Sequence, residues 1–283
     1  MDTTARRQPP PRSIGGVIVV DRQHIVALGS SFAAGPGIAP VVDRGAMRSG
    51  RNYPHLVAQA LDARLTDATV SGATTETILR SPQRTTGGRY APQIEAVDDS
   101  ADIVTITAGG NDLGYLGGVL LAAVTAPLER RKLTRPISHV LRSRSHVPDQ
   151  DAVESATSGL VAICDEVRKR SRARVILVAY LPIFDAQPTA EVAARFTADE
   201  IATFRRIATQ LDDVYLEASR RSGAELVDSS SYGEGHGVGS GDPWVNDLQP
   251  VRQLGSSFHP NAEGMRVVAD RVVASLTRES HWQ

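Results

Sequence analysis

The chain has very little cysteine, no excess of charge of either sign and no long hydrophobic run. Cys164 is the only cysteine among 283 residues, which excludes an intrachain disulfide and a zinc site built from several thiolates. The 31 basic residues nearly balance the 32 acidic ones, and a formal net charge of -1 gives no global attraction for a polyanion. A nucleic-acid partner is therefore not expected.

No segment predicts a membrane span or an export signal. The longest nearly uncharged stretch, residues 113–128, contains Gly, Thr and Pro and is shorter than the roughly 20 residues that span a bilayer. Residues 1–16 are predicted to be disordered, and the apolar stretch that follows them is too short for the core of a secretory signal. Together with the lack of disulfides, these features predict a cytoplasmic protein.

Short apolar runs alternate with helical stretches along the chain, which is typical of βαβ units around a parallel sheet. Strands are predicted at 24–28, 103–107, 174–180 and 225–227, with a weak strand ending near Val70. Helices are predicted at 53–64, 152–170 and 190–221, and from about Pro260 onward. Residues 113–150, first apolar and then basic, are interpreted as an insertion. We predict a single α/β domain over residues 17–283.

Residues with catalytic potential follow the predicted ends of the strands. Gly29-Ser30-Ser31 follows the first strand, where a serine is either a nucleophile or simply the N-cap of a helix. Gly109-Gly110-Asn111-Asp112 follows the strand at 103–107; its asparagine can donate to an oxyanion, although such a turn is often only structural. Gly72 can contribute a backbone N–H at the same sheet edge. A phosphate-binding loop is disfavoured because the glycines lack the required spacing.

His259 is the best candidate for a general base among the seven histidines. It immediately precedes Pro260 at the predicted start of the last helix, and this turn is expected to face the same crevice as the serine. His236, in the glycine-rich loop at 229–241, is the competing candidate.

Four blocks, in their order along the chain, resemble the SGNH (GDSL-type) hydrolase family: Gly29-Ser30-Ser31, Gly72, Gly109-Gly110-Asn111-Asp112 and His259-Pro260. Two further stretches, SGATT and GHGVGSGDPWVN, resemble the actinobacterial esterase and phospholipase-like branch of that family. The resemblance implies a three-layer α/β/α flavodoxin-like domain that hydrolyses esters without a metal or an organic cofactor. It further implies that Ser31 is the nucleophile and His259 the base. The backbone N–H groups of Ser31 and Gly72, with the side chain of Asn111, would form the oxyanion hole.

The sequence departs from the family pattern at two positions of these blocks and in one loop, where Gly239 and Ser240 stand at the place of a cysteine in exported relatives. Ser30 stands where the family has an aspartate before the nucleophile, and Ser256 stands where the Asp-x-x-His pattern has its acid. The acid of a triad orients the histidine, so another group must take that role. The favoured one is a backbone carbonyl of Ser256 or Ser257, as in relatives that work as a dyad, and the alternative is Asp242 or Asp247.

The predicted function is hydrolysis of a small-molecule or lipid ester through an acyl-enzyme on Ser31. Apolar side chains of residues 113–128 would line an acyl pocket and the basic segment after them would meet an anionic head group; an ordinary amphipathic helix pair is the equally weighted alternative. Three other functions stay open. They are an acyltransferase that uses the same Ser31 and His259, a non-catalytic binding protein, and a nucleotide-binding flavodoxin-like protein. The sequence does not predict the acyl chain, the alcohol or the oligomeric state.

Overall fold

The computed structural model describes residues 12–14, 17–19, 22–129 and 147–278. Its strands are β1 (Arg12–Ile14), β2 (Val17–Val19), β3 (His24–Gly29), β4 (Val41–Asp43), β5 (Arg48–Ser49), β6 (Arg64–Asp67), β7 (Gln83–Thr85), β8 (Gly88–Tyr90), β9 (Ile103–Thr107), β10 (Arg174–Val178) and β11 (Glu225–Val227). Its α-helices are α1 (Ser31–Ala34), α2 (Tyr53–Ala60), α3 (Thr75–Leu79), α4 (Tyr115–Glu129), α5 (Gln150–Arg170), α6 (Ala190–Arg195), α7 (Ala198–Ser222) and α8 (Ala262–Arg278). Short 3₁₀ helices span Gln93–Ala96, Ser230–Tyr232 and Val251–Ser256.

A five-stranded parallel sheet organises the domain in the order β11-β10-β9-β3-β6. Its central strands are almost wholly apolar, since a parallel sheet is covered on both faces. Helices α2 and α8 pack against each other, and α5 and α7 form a second packed pair. The predicted three-layer α/β/α fold is therefore confirmed.

Several predicted boundaries were wrong for local reasons. The helix predicted at 190–221 is broken into α6 and α7, because Thr197 leaves helical geometry and caps α7 in a reciprocal box with Glu200. The helix predicted at 53–64 ends at Ala60, before Asp62 adopts a φ of 48°. The strand predicted to end near Val70 is β6, which ends at Asp67, and the strand predicted at 174–180 ends at Val178.

The predicted insertion begins with α4, which packs against α7. Its basic part, residues 130–146, lies outside the described residues. Of residues 1–16, which were predicted to be disordered, the structure describes only residues 12–14. These three residues form β1, which pairs antiparallel with β2. None of the helices in the described ranges is long and apolar enough to cross a membrane.

Candidate active site

The turn that carries Ser31 is fixed between β3 and β9. The backbone N–H of Ser30 donates to the carbonyl of Thr107 at 2.8 Å, and a Cβ on Gly29 would lie only 2.6 Å from that same oxygen. Only glycine allows this close approach. Ser31 then begins the short helix α1, and its side chain is buried, with 5% of its surface exposed.

A buried glutamine supports this turn. The side chain of Gln93 accepts from the backbone N–H of Gly29 at 2.7 Å and donates to the Gly29 carbonyl at 3.0 Å. Both residues are buried, so the two bonds supply hydrogen-bond partners for the backbone N–H and carbonyl of Gly29, the last residue of β3. No sequence signal predicts this role, because Gln93 lies outside every motif.

Ser30, which replaces the family aspartate, is hydrogen-bonded to a buried tyrosine. Its Oγ lies 2.7 Å from the hydroxyl of Tyr180, just beyond β10. The ring of Tyr180 packs on Phe32, with centroids 4.4 Å apart, and a Cβ on Gly110 would lie 2.7 Å from that ring. Burial raises the pKa of Tyr180, so the hydroxyl stays neutral. Tyr180 therefore joins the serine turn to the asparagine turn, a role that the sequence analysis missed.

The asparagine turn is tied directly to the Gly72 loop. Asn111 donates from Nδ2 to the carbonyl of Ala73 at 2.8 Å, and the carboxylate of Asp112 accepts from the backbone and the hydroxyl of Thr75. An amide nitrogen carries two hydrogens, so Asn111 retains a second donor. Gly72 has a φ of 82°, which favours glycine. The structure thus brings the second and third sequence blocks into contact.

His259 lies in a turn held by backbone bonds. The backbone N–H of Phe258 donates to the Asn246 carbonyl at 3.0 Å, and that of Asn246 donates to the His259 carbonyl at 2.9 Å. Phe258 is fully buried with a φ of 59°, which is strained for an aromatic residue and is maintained by these contacts. The ring of His259 lies 5.5 Å, centroid to centroid, from that of Phe32, the residue after Ser31.

The carbonyl of Ser257 lies 2.9 Å from Nδ1 of His259. A carbonyl can only accept, so Nδ1 carries the proton and Nε2 presents its lone pair. Nε2 is buried and has no hydrogen-bond partner among the described residues. Burial lowers the pKa of His259 to about 4, against a smaller opposing effect of the Ser257 carbonyl, so the ring is neutral at pH 7.

The other groups considered for orienting His259 have different partners. Asp242 is exposed and lies 3.4 Å from Nδ1 of His236. Asp247 forms an ion pair with Arg195 and accepts from the backbone of Leu248. The Ser256 hydroxyl donates to the Gln253 carbonyl, and the Ser256 carbonyl accepts from Nδ2 of Asn246. The competing histidine, His236, stacks on Trp244 with ring centroids 3.6 Å apart.

A cavity of about 420 Å³ opens beside Asn111. It runs between α4, α5 and α7. Its lining combines apolar and small residues, such as Gly117, Leu121 and Ile207, with the carboxylates of Asp112 and Asp149. A Cβ at Gly117 would meet no atom within 4 Å, so the glycine leaves this wall open. Over the described part of the chain, no group of three metal-ligating side chains is placed to hold an ion.

The α/β/α fold with these blocks at its strand ends defines a hydrolase of the SGNH class. The chain belongs to the GDSL-like lipase/acylhydrolase family, whose model matches residues 27–267. The family resemblance predicted from the sequence is therefore confirmed, and with it an enzyme of the lipase and esterase type.

Relatives of known name cover most of the chain. Lipase 2 of Streptomyces coelicolor is 31% identical over 259 residues, which are 89% of this chain and 85% of that protein. An extracellular lipase of Streptomyces rimosus has a similar structure, with a TM-score of 0.68 at 21% identity over 90% of this chain and 99% of that chain. Phospholipase A1 of Streptomyces albidoflavus gives the same TM-score and coverage at 22% identity. The cytoplasmic location stays a prediction.

Proposed function

We propose that the chain hydrolyses carboxylic esters through an acyl-enzyme on Ser31, with His259 as the general base. The observation that carries this proposal is the state of the His259 ring. Its Nδ1 is bound to the Ser257 carbonyl, while its Nε2 is neutral, buried and without a partner among the described residues. A nitrogen in that state is prepared to accept a proton from a serine hydroxyl.

In the first step Nε2 of His259 takes the hydroxyl proton as Oγ of Ser31 bonds to the ester carbonyl carbon. The carbonyl oxygen becomes an oxyanion, which accepts from the backbone N–H groups of Ser31 and Gly72 and from the second Nδ2 hydrogen of Asn111. The imidazolium then protonates the departing alcohol as the carbon–oxygen bond breaks. Water repeats the sequence on the acyl-enzyme and releases the acid.

The backbone carbonyl changes the character of the base. It fixes the Nδ1–H tautomer of His259, which is one task of a triad acid, but its partial charge stabilises the imidazolium less than a carboxylate does. Burial lowers the pKa of His259 to about 4, and the Ser257 carbonyl offsets this effect only in part. The site therefore works as a serine–histidine dyad, and its base remains unprotonated at mildly acid pH.

The acyl chain would occupy the cavity beside Asn111. The cavity begins at a proposed oxyanion donor and continues along the open glycine wall of α4, and its volume is in the range of sites for small ligands. The names of the relatives, lipase and phospholipase A1, support an ester with an apolar acyl chain.

Labelling with a serine-directed fluorophosphonate tests the proposal. We expect intact-mass analysis to show one adduct on the wild-type chain and none on Ser31→Ala, with Ser30→Ala as the matched control that keeps the adduct. A chain that takes no label at any pH would instead be a binding protein with a hydrolase fold. Product analysis with an added alcohol separates hydrolysis from acyl transfer, because both reactions use Ser31 and His259.

A further inference from the structure

Exposed apolar side chains are concentrated on two segments that flank the proposed site. Of the six large apolar residues that are exposed in the described ranges, four belong to these segments: Val41 at 51%, Val42 at 55%, Met47 at 38% and Val251 at 88%. The first three lie on the β4–β5 hairpin, which follows the helix of Ser31. Val251 begins the 3₁₀ helix that leads to His259.

These two segments touch each other. The methyl group of Met47 lies over Gly255, where a Cβ would be only 2.4 Å from Cε. Just before the hairpin, a Cβ on Gly37 would lie 2.5 Å from the Cβ of Ser256. The hairpin that carries Val41 and Val42 is therefore a neighbour of the 3₁₀ helix that begins at Val251. Apolar side chains grouped next to a site commonly mark a contact surface.

A second hairpin adds positive charge to the same side. Strands β7 and β8 pair so that Arg84 and Arg89 are directly opposite each other. The alternate residues face the protein, since Gln83 donates to the Ser71 carbonyl and Tyr90 donates to Asp43 of the first hairpin. Side chains alternate along a strand, so both arginines point to solvent.

Within the described ranges, Arg84 and Arg89 are not paired with acidic side chains. The two hairpins meet where a Cβ on Gly87 would lie 2.5 Å from the Cα of Gly45, which places Arg44 beside the second hairpin. Arg44, Arg84 and Arg89 are exposed, and none of them forms an ion pair with a described residue. Like charges directly opposite on a hairpin are unfavourable, so an anionic surface would relieve their repulsion.

We propose that these side chains form a docking surface, defined by Val41, Val42, Val251, Arg44, Arg84 and Arg89, for the anionic face of a lipid bilayer. The inference rests on the proposed function and specifies a membrane-presented lipid ester as the substrate class. The valines would enter the interfacial region while the arginines meet lipid phosphates. Gln83 holds Ser71, next to Gly72, so a docked lipid would lie beside the proposed oxyanion hole.

Charge favours this occupant over a second copy of the chain. A two-fold interface would bring the same patch of each copy together and place the three arginines of one against those of the other. The net charge of -1 gives the whole chain no attraction for anions, so binding would depend on this local cluster.

Co-sedimentation of the Ser31→Ala chain with vesicles tests the docking surface without consuming the lipid. We expect binding to phosphatidylcholine vesicles that contain phosphatidylglycerol, much weaker binding to phosphatidylcholine alone, and loss of the difference at high salt. Replacing both arginines, Arg84→Gln with Arg89→Gln, should weaken binding by about 30-fold, or about fivefold for each charge. The matched control, Arg172→Gln with Arg206→Gln, removes two exposed arginines elsewhere and should bind like the parent.

Val251→Ser tests the apolar part, with Leu216→Ser on α7 as its exposed apolar control. Equal binding to both vesicle types, or equal loss in the test and control pairs, would overturn the docking surface. So would a dimer of the free chain that Val42→Asp dissociates, since a second copy would then cover the valines. An unchanged melting temperature for the arginine pair excludes misfolding.

Hydrolysis of a soluble ester by the wild-type chain tests the proposed function separately. Soluble hydrolysis without vesicle binding overturns only the docking surface. Vesicle binding without hydrolysis of any ester overturns the proposed function, and the lipid-ester substrate class with it, but leaves the docking surface.

Discussion

The pair formed by Ser30 and Tyr180 gives a sharp quantitative prediction. Their hydroxyl oxygens are 2.7 Å apart, Ser30 is fully buried and 6% of Tyr180 is exposed. Tyr180→Phe leaves the Ser30 hydroxyl without this partner, and an unsatisfied buried polar group costs about 1–3 kcal/mol. Ser30→Ala should cost less, because the Tyr180 hydroxyl also interacts with the backbone of Gly110. The double variant removes both hydroxyls and should cost about 1–2 kcal/mol less than the sum of the single ones.

The coupling between the two hydroxyls is measured from the free energies of unfolding of the wild type, Tyr180→Phe, Ser30→Ala and the double variant. These free energies are obtained by urea denaturation at pH 7. If the costs of the two single substitutions add within about 0.5 kcal/mol, the two hydroxyls do not interact and the assignment is wrong. A kinetic measurement accompanies it. Since Tyr180 positions the turns that carry Ser31 and Asn111, we expect Tyr180→Phe to lower kcat for a soluble ester while KM changes little.

The remaining predictions concern pH, acyl-chain length and a partly buried acid. Because burial lowers the pKa of His259 to about 4, the acidic limb of kcat/KM should lie near pH 4, and a limb near pH 6.5 would contradict the assignment. The lowered pKa of His259 also contributes about 3 kcal/mol to the free energy of unfolding above pH 6.5, and this contribution should be lost as the pH falls from 6.5 to 4. It is measured as the difference in the free energy of unfolding between the wild type and His259→Gln. Gly117→Leu should fill the cavity beside Asn111 and reduce hydrolysis of p-nitrophenyl palmitate at least about tenfold more than that of the acetate, without loss of stability, since leucine favours a helix over glycine. Uniform loss on both esters would place the acyl chain elsewhere. Burial raises the pKa of Asp212 to about 7, so its ionisation destabilises the fold as the pH rises from 3.8; Asp212→Asn should raise the free energy of unfolding by about 2 kcal/mol at pH 8 relative to pH 4, and a pH-independent effect would contradict this.

The parts of the fold that could be predicted were those with a uniform local signal. Strands β3, β9 and β10 are nearly continuous apolar runs, which occur where a strand is covered on both faces. The two hairpins of the docking surface were missed, since their strands are only two or three residues long and carry polar or exposed side chains. Their pairing depends on contacts between segments, such as that of Tyr90 with Asp43, which periodicity does not encode.

The candidate site likewise has parts that could be predicted from the sequence and parts that could not. Short motifs at strand ends led to the prediction of Ser31, Asn111 and His259 as site residues, because turn chemistry is local in sequence. The choice among the groups that orient His259 depended on the backbone path from Asn246 to Pro260, which places the Ser257 carbonyl at Nδ1. Tyr180 is 150 positions from Ser30 along the chain, and Gln93 is 64 positions from Gly29. No spacing rule could therefore connect either residue to the serine turn.

The most direct test of the central claim is the hydrolysis of p-nitrophenyl butyrate by the wild-type chain, Ser31→Ala and Ser30→Ala. The substitutions remove the same atom from adjacent buried serines, so they separate loss of the nucleophile from loss of packing. We predict that Ser31→Ala lowers kcat at least about a thousandfold, while Ser30→Ala stays within about tenfold of the wild type. Full activity in Ser31→Ala, or equal losses in the two variants, would contradict a nucleophile at Ser31.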